Sequence, residues 1–256
     1  RCLLISENRP EWMIADLSIM LSGGITVPTY TTYTERDYEY IINDCTPSII
    51  IVSDRYQYEK IKDIIPKKNF IKKVITFESM DDLGRDLYIN IKNIFAKKNY
   101  EIKNFLDLKI QRKDVACIIY TSGTEGSPKG VILSHGGILN NCQGSCELLK
   151  SIISRRPKFL TWLPLSHSYE HTIQFVQIAV GAKVFYAENI EKLVKNMSDC
   201  GPDIMTAVPR FYQNLYQKIN VNFSKATGLK KFLVTNTIKL GKNKLYKKEF
   251  TFIEHF

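Results

Sequence analysis

Short apolar runs alternate with segments of helical periodicity along the whole chain. In the runs at 48–52 and 115–120 almost every residue is apolar, so neither run has a polar face. Strands of this kind are buried on both faces, which is typical of a parallel sheet covered by helices. The pattern therefore predicts an α/β protein of layered parallel-sheet subdomains with helices on both faces.

Turn residues separate the predicted elements in the first half of the chain. Asn8 is a candidate N-cap, and Pro10 a first-turn residue, of a helix that ends before the glycine pair at 23–24. The further elements are strands at 25–27 (stopped by Pro28), 48–52 and 73–77 and helices at 35–45 and 56–65. Residues 78–113 are charged and weakly periodic, so we expect a surface excursion there.

The second half repeats this alternation. It predicts a glycine-rich loop at 121–130, strands at 115–120, 131–133, 158–162, 183–186 and 203–208, and helices at 137–150, 169–180, 190–199 and 209–219. The tail at 229–256 is rich in lysine and helical in tendency. We expect two α/β subdomains, residues 1–113 with the charged excursion and residues 114–256 with the glycine-rich loop.

Composition narrows the cellular setting. The longest mostly apolar stretch, 175–187, is shorter than the ~20 apolar residues that span a bilayer, so no transmembrane helix is predicted. The first residues lack the apolar core of a signal peptide. The six cysteines are scattered and form no Cys-x-x-Cys pair, which indicates reduced thiols in an intracellular protein.

The net charge of +10 raises the question of nucleic-acid binding. The excess lies in 55–113 (net +7) and 210–256 (net +8), whereas residues 114–209 are neutral overall. No aromatic RNA-binding motif, zinc finger or recognition-helix pattern accompanies it. We therefore expect no nucleic-acid partner, and lysine-rich faces that are solvated or contact acidic lipid headgroups as a peripheral membrane surface.

The candidate chemistry lies in the loop at 121–130, which follows a predicted strand. Glycines allow close backbone approach, hydroxyls and free N–H groups can converge on phosphate oxygens, and a lysine supplies positive charge. The predicted nucleotide-binding residues are Thr121, Ser122, Gly123, Thr124, Glu125, Gly126 and Lys129. A Walker A loop is excluded, because Pro128 and Gly130 stand where it needs Gly and Ser or Thr. Composition alone also leaves open a glycine-rich surface turn.

This loop resembles the signature of the adenylate-forming superfamily of acyl-CoA synthetases, peptide-synthetase adenylation domains and luciferases, with Glu125 where Thr is commoner. Other motifs resemble those of long-chain fatty acyl-CoA synthetases. They are Asn-Arg-Pro-Glu-Trp at 8–12, Val-Pro-Thr-Tyr at 27–30, Leu-Pro-Leu-Ser-His-Ser-Tyr-Glu at 163–170, Gly-Ala-Lys at 181–183 and Val-Pro-Arg at 208–210. The resemblance spans residues 1–222 and implies the N-terminal domain of the adenylate-forming fold.

The resemblance implies a ligase that uses ATP, Mg²⁺ and coenzyme A. A fatty carboxylate would attack the α-phosphorus of ATP to give acyl-AMP and pyrophosphate, and the thiol of coenzyme A would then displace AMP. By resemblance, the catalytic residues are Lys129, which would hold the β- and γ-phosphates with the loop hydroxyls and Mg²⁺, and His167, which would face the acyl carboxylate and the adenylate. No metal ligand is identified in the chain.

Three positions keep a second interpretation. His167 is also consistent with a core histidine, although it follows Pro164 at a predicted strand end, where ligands gather in open α/β sheets. His171 stands where some bacterial relatives of the resembled family place a Trp that gates the acyl tunnel, so the sequence assigns it no gating role. Arg210 fits either a phosphate contact or the first turn of a helix.

Elements that the resembled family places further downstream do not occur in the 256 residues. They include a Tyr-Gly-x-Thr-Glu segment, a ribose-binding Asp, the hinge and the catalytic Lys of a C-terminal domain. We therefore expect the N-terminal portion of such an enzyme, inactive alone, in the cytoplasm or peripheral on an internal membrane such as the endoplasmic reticulum. The alternatives are a non-catalytic nucleotide-binding fragment and an adenylating enzyme for another carboxylic acid.

Overall fold

The structure is a computed structural model that describes residues 1–80, 82–84, 86–97, 108–121, 128–153 and 156–245. Internal contacts divide the chain into two compact units, Arg1–Thr206 and Ala207–Phe256. Within the described ranges, no helix combines the length and the apolar character that a membrane span requires.

The first unit is built on a seven-stranded sheet of order β5-β4-β3-β1-β2-β6-β7. Its strands are β1 Cys2–Ile5, β2 Thr26–Thr29, β3 Ile49–Val52, β4 Lys73–Thr76, β5 Tyr88–Asn90, β6 Val115–Thr121 and β7 Lys129–Ser134. Neighbouring strands are parallel except for the antiparallel pair of β6 and β7. In the central strand β1, Cys2 pairs with Thr26 on one side and with Ile49 on the other.

Helices cover both faces of this sheet. They are α1 Pro10–Leu21, α2 Glu35–Cys45, α3 Arg55–Glu59, α4 Ile91–Phe95 and α5 His135–Leu149, with a 3₁₀ turn at Ile65–Lys67. Side chains alternate across β1, so Leu3 and Ile5 join the core cluster of Ile41 from α2, whereas Leu4 joins the cluster of Trp12 from α1. The predicted α/β fold, a mostly parallel sheet with helices on both faces, is confirmed.

A second sheet of three parallel strands, in the order β10-β8-β9, belongs to the same unit. Its strands are β8 Lys158–Thr161, β9 Lys183–Tyr186 and β10 Ile204–Met205, connected by α6 Ser168–Ala179 and α7 Leu193–Cys200. The central strand β8 buries Phe159 and Leu160, each 2% exposed. The connections are again strand, helix and strand, as a parallel sheet requires.

The described part of the second unit contains two helices, α8 Pro209–Ser224 and α9 Gly228–Leu245. Pro209 takes the first position of α8, where its missing N–H costs no hydrogen bond. Gly228 begins α9 in the left-handed region, with φ +54°, a conformation that favours glycine.

Two local features of the first unit differ from the predictions. The N-cap of α1 is Arg9, which makes no side-chain capping bond, and not Asn8. Strand β2 continues through Pro28 instead of stopping there. The sheet tolerates this proline because β2 pairs with β6 only at Thr26 and Cys117. At Pro28 the pairing with β6 has already ended, so no hydrogen bond to β6 is lost with the missing N–H.

The seven-stranded sheet takes strands from both sides of residue 113. Tyr88–Asn90 forms the edge strand β5 although it lies inside the predicted surface excursion at 78–113, and Ile91 of the following helix α4 is buried in the core. Strand β6, which follows residue 113, pairs with β2. The division into subdomains 1–113 and 114–256 stays a prediction.

A buried polar pair joins α1 to α6. His171 Nε2 and Asp16 Oδ2 are 2.8 Å apart, and the two side chains are 3% and 0% exposed. The aromatic rings of Trp12 and Phe175 pack against the imidazole ring, with centroid distances of 5.3 and 5.0 Å. His171 is therefore a core residue, and water cannot take the place of Asp16 as the partner of its Nε2.

Asp16→Ala should lower the free energy of unfolding by about 1–3 kcal/mol, because it leaves a buried ring nitrogen without its hydrogen-bond partner. Urea denaturation followed by tryptophan fluorescence measures this loss. Asp199→Ala, which removes an exposed aspartate, is the control and should change stability by less than about 0.5 kcal/mol. Equal effects of the two substitutions would contradict the importance of the pair.

Candidate active site

The carboxyl ends of four strands, two from each sheet, open onto one cavity of about 320 Å³. Its lining follows β1, β2, β8 and β9 and consists of Ser6, Glu7, Asn8, Tyr30, Thr31, Thr32, Trp162, Pro164, Leu165, Ser166, Ala187, Glu188, Asn189 and Ile190. Ligands of open α/β sheets bind outside the carboxyl ends of the strands. The cavity therefore has the position of a ligand site.

The side chain of Asn8 joins the two walls of this cavity. Its Nδ2 donates to the carbonyl oxygen of Leu163 at 2.7 Å, and its Oδ1 accepts from the backbone N–H of Leu165 at 3.0 Å. The carboxamide thus uses both its donor and its acceptor on the backbone of one short loop. This explains why Asn8 does not cap α1.

His167 is the N-cap of α6 and is exposed. Its Nδ1 accepts from the backbone N–H of Tyr169 at 3.2 Å, and its own backbone N–H donates to the carbonyl oxygen of Pro164 at 3.0 Å. Because Nδ1 accepts, the ring proton lies on Nε2 in the neutral form. The structure thus places an exposed Nε2–H donor at the start of a helix, and the interpretation as a satisfied core histidine is wrong.

Glu170, three residues further on, is completely buried against the three-stranded sheet. Thr206 Oγ1 donates to its Oε2 at 2.6 Å. Burial raises the pKa of this carboxyl from its ordinary 4.5 to about 7, an effect that hydrogen bonds from Thr206 and Thr161 oppose. Two further buried side chains, Gln174 and Gln177, continue this polar layer along α6. The charge of Glu170 is therefore reduced near neutral pH.

The predicted phosphate loop is held at its ends by the β6–β7 hairpin. Thr121, the last residue of β6, pairs with Lys129, the first residue of β7, and both are exposed. Because β6 runs parallel to β2, Thr121 lies at the same edge of the sheet as Tyr30 of the cavity. The remaining predicted loop residues, Ser122, Gly123, Thr124, Glu125 and Gly126, lie outside the described residues.

Gly130 allows the two strands of this hairpin to pack closely. A Cβ at this position would lie 2.9 Å from Cγ2 of Ile118 and 3.3 Å from Cζ of Tyr120. The close approach of β7 to β6 beside Lys129 therefore requires a residue without a side chain.

The predicted catalytic residues occupy two places. His167 follows Ser166 in the cavity wall, whereas neither Thr121 nor Lys129 is among the described residues that line the cavity. Arg210 lies in the first turn of α8, in the second unit, and both interpretations of it stay open.

The described residues do not form a protein cage for a metal ion. Within the described ranges there is no cluster of three or more His, Cys, Asp or Glu side chains able to hold a metal ion. The acidic side chains at the cavity are engaged elsewhere, Glu7 with Gln57 and Glu188 with Lys192. No reaction step is therefore assigned to Mg²⁺.

Residues 1–246 match the sequence family described as AMP-binding enzyme. The chain belongs to this family. Long-chain-fatty-acid–CoA ligase 5 of Rattus norvegicus is 30% identical over 248 residues, which are 92% of this chain and 36% of the relative. Long chain acyl-CoA synthetase 4 of Arabidopsis thaliana is 31% identical over 246 residues, which are 91% of this chain and 36% of the relative. The chain thus spans about a third of the length of the curated relatives it matches.

Solved structures share the fold of this chain. A long-chain-fatty-acid–CoA ligase from Archaeoglobus fulgidus has a TM-score of 0.71 at 21% identity, over 86% of this chain and 42% of that one. An o-succinylbenzoate coenzyme A synthetase from Bacillus subtilis, solved with ATP and magnesium ion, has a TM-score of 0.61 at 16% identity, over 84% and 52%. The predicted fold, that of the N-terminal domain of adenylate-forming enzymes, is confirmed.

The structure adds two residues to the site that the sequence analysis assigned no such role. Asn8 was predicted to cap α1, and the motif at 8–12 that contains it carried only the family resemblance. Glu170 belongs to the motif at 163–170, but nothing in the sequence shows that it is buried. Its spacing of three residues from His167 was the available signal, since that places both in the first turn of α6.

Glu170→Gln should change how the stability of the protein depends on pH. Because the folded-state pKa of about 7 lies above the ordinary carboxyl value, the folded protein binds the proton more tightly than the unfolded chain does. The free energy of unfolding should fall as the pH rises from about 5 to about 8, by at most about 1.4 kcal/mol per pH unit. The glutamine variant should lack this contribution.

Urea denaturation across that pH range measures the slope for both proteins. Glu147→Gln, at an exposed glutamate of α5, serves as the matched control and should keep the wild-type slope. Parallel curves for wild type and Glu170→Gln would show that Glu170 does not titrate in this range.

Proposed function

We propose that the protein activates a long-chain fatty acid with ATP and transfers the acyl group to coenzyme A. The observation that carries the proposal is the cavity at the carboxyl edge of both sheets, where Asn8 and the loop before His167 meet. These two segments contain the motifs at 8–12 and 163–170 that resemble long-chain acyl-CoA synthetases. Two relatives bear such names, at 30% and 31% identity.

The proposed reaction has two steps. A carboxylate oxygen of the fatty acid attacks the α-phosphorus of ATP, the bond to the bridging oxygen breaks, and pyrophosphate leaves. The thiol of coenzyme A, losing its proton, then attacks the acyl carbon, and AMP leaves with the electron pair of the acyl–oxygen bond. In the first step an anion attacks an anion, so the protein has to supply positive charge and hydrogen-bond donors.

Lys129 and the loop hydroxyls are the groups proposed to receive the phosphates. Lys129 is exposed at the start of β7 and lies directly across the hairpin from Thr121. A lysine is a mobile point charge that can follow the triphosphate as pyrophosphate departs. Stabilising the leaving pyrophosphate lowers the barrier more than it strengthens binding of the fatty acid.

His167 is proposed to hold the acyl carboxylate and then the carbonyl oxygen of the adenylate. Its Nδ1 is occupied by the backbone N–H of Tyr169, which leaves Nε2–H as the donor. The positive end of the α6 dipole supports an anion at the same place. An N–H donor suits both steps, because each step places an oxygen of the acyl group against it.

Adenylation of another carboxylic acid is the second candidate, and a nucleotide-binding protein without catalysis is the third. The fold does not select among acids, since an o-succinylbenzoate coenzyme A synthetase and a luciferase share it. The motif at 163–170 favours a long acyl chain. We propose an intracellular protein, cytoplasmic or peripheral on an internal membrane, with fatty acid, ATP and coenzyme A as its partners.

Lys129→Ala should slow formation of acyl-AMP by about 30- to 900-fold, the effect of losing about 2–4 kcal/mol of stabilisation of a developing anion. Single-turnover measurements on the protein at its full encoded length test this, with fatty-acid binding measured separately. The control is Lys158→Ala, which should keep the wild-type rate. Lys158 is exposed at the start of β8, whereas the cavity lies beyond the carboxyl end of that strand. An unchanged rate in Lys129→Ala would contradict its assignment.

His167→Asn should reduce the rate of acyl-AMP formation by about 10- to 100-fold, because it removes the Nε2–H donor from the acyl oxygen. Asparagine is a favourable N-cap, so α6 should keep its start and the melting temperature should stay within about 3 °C of wild type. Thermal melting and single-turnover adenylation are measured on one preparation. Loss of stability with an unchanged rate would show that the histidine is structural only.

A further inference from the structure

We propose that Asn8 is a positioning residue that orients His167 through the backbone of the intervening loop. This inference rests on the proposed function of His167. Asn8 follows β1 of the seven-stranded sheet, whereas Leu163 and Leu165 follow β8 of the three-stranded sheet. The two hydrogen bonds of its carboxamide therefore fix one sheet against the loop that begins α6.

The path from Asn8 to His167 consists of two consecutive hydrogen bonds, one from a backbone N–H to the Asn8 side chain and one between backbone groups. Leu165 N–H donates to Asn8 Oδ1 at 3.0 Å, and His167 N–H donates to the carbonyl oxygen of Pro164 at 3.0 Å. The peptide bond between Pro164 and Leu165 takes part in both, through its N–H and its carbonyl oxygen respectively. Rotation of this peptide would break the turn that sets the direction of His167.

Apolar packing holds the same loop but does not set its orientation. The side chain of Leu165 is 1% exposed and lies in the core cluster of Leu4 and Trp12. Burial of an apolar side chain is non-directional, whereas a hydrogen bond fixes distance and angle. Loss of the Asn8 bonds should thus leave the loop attached to the core while its peptides, and with them His167, turn away from the productive geometry.

Asn8→Asp is the most informative substitution. An aspartate keeps an oxygen that accepts from Leu165 N–H. In place of Asn8 Nδ2, which donates to the carbonyl oxygen of Leu163 at 2.7 Å, it puts a second oxygen. Two acceptors at this separation repel each other, so one of the two bonds is lost without a change of side-chain size.

Asn90 provides a matched control in the same unit. Its Nδ2 donates to the carbonyl oxygen of Phe77 at 3.3 Å, and its Oδ1 accepts from the backbone N–H of Lys92 at 2.9 Å. Like Asn8, it is half-buried and uses both ends of its carboxamide on backbone groups. Asn90 lies at the end of β5, at the far edge of the sheet from the β6–β7 hairpin.

The test is a double-mutant cycle of Asn8→Asp and His167→Asn in the protein at its full encoded length, with ATP and palmitate as substrates. Asn8→Asp alone should lower the single-turnover rate of acyl-AMP formation by about 10- to 50-fold, the effect of misplacing a catalytic group. Its KM for ATP should change less than twofold. In the His167→Asn background, Asn8→Asp should lower the rate of acyl-AMP formation by less than about twofold. Asn90→Asp should lower the melting temperature about as much as Asn8→Asp does and should leave the rate unchanged.

Each failure has its own signature. Equal factors for Asn8→Asp with and without His167 would overturn the positioning role, because the asparagine would then act independently of the histidine. A rate loss in Asn90→Asp equal to that in Asn8→Asp would reduce the effect to general destabilisation and also overturn it. Absence of palmitate-dependent acyl-AMP in the wild type would instead contradict the proposed function.

Discussion

Parallel strands impose the constraint on which the rest of this structure depends, because all their carboxyl ends emerge at the same edge of the sheet. The chain builds two such sheets, and the loops that follow β1, β2, β8 and β9 meet at one cavity. Two motifs that lie about 155 residues apart along the chain, represented by Asn8 and Leu163, thereby become hydrogen-bonded neighbours. The end of β6, where the predicted phosphate loop begins at Thr121, emerges at that same edge.

The charges and hydrogen-bond donors near the cavity suit a reaction between two anions. The proposed reaction places a carboxylate beside a triphosphate, so negative charge in the protein close to the site would oppose it. His167 offers a donor, since its Nδ1 is engaged by a backbone N–H. Burial raises the pKa of Glu170, in the same helical turn, to about 7, so the negative charge of this carboxyl is reduced near neutral pH. Lys129, at the hairpin, is the positive charge proposed to face the phosphates.

Sequence patterns predicted the helices and strands that depend on interactions between neighbouring residues. The helix predicted at 35–45 is α2, begun by a capping box of Thr34 and Asp37, and the strand predicted at 183–186 is β9. Asn8 failed as a predicted cap because its partners are on another sheet, and sequence alone gives no distance between positions 8 and 163. Glu170 was quoted within a motif, but its altered pKa depends on burial that only the packing of α6 creates. Strand β5 was missed because its half-buried residues show little periodicity.

The central claim is that the protein joins AMP to a long-chain fatty acid, and ATP–pyrophosphate exchange tests it most directly. The protein at its full encoded length is incubated with ATP, labelled pyrophosphate and one acid at a time: palmitate, octanoate, acetate, benzoate or an amino acid. Label should enter ATP fastest with palmitate, and the exchange should need no coenzyme A. Exchange that is absent with palmitate, or faster with an aryl or amino acid, would contradict it.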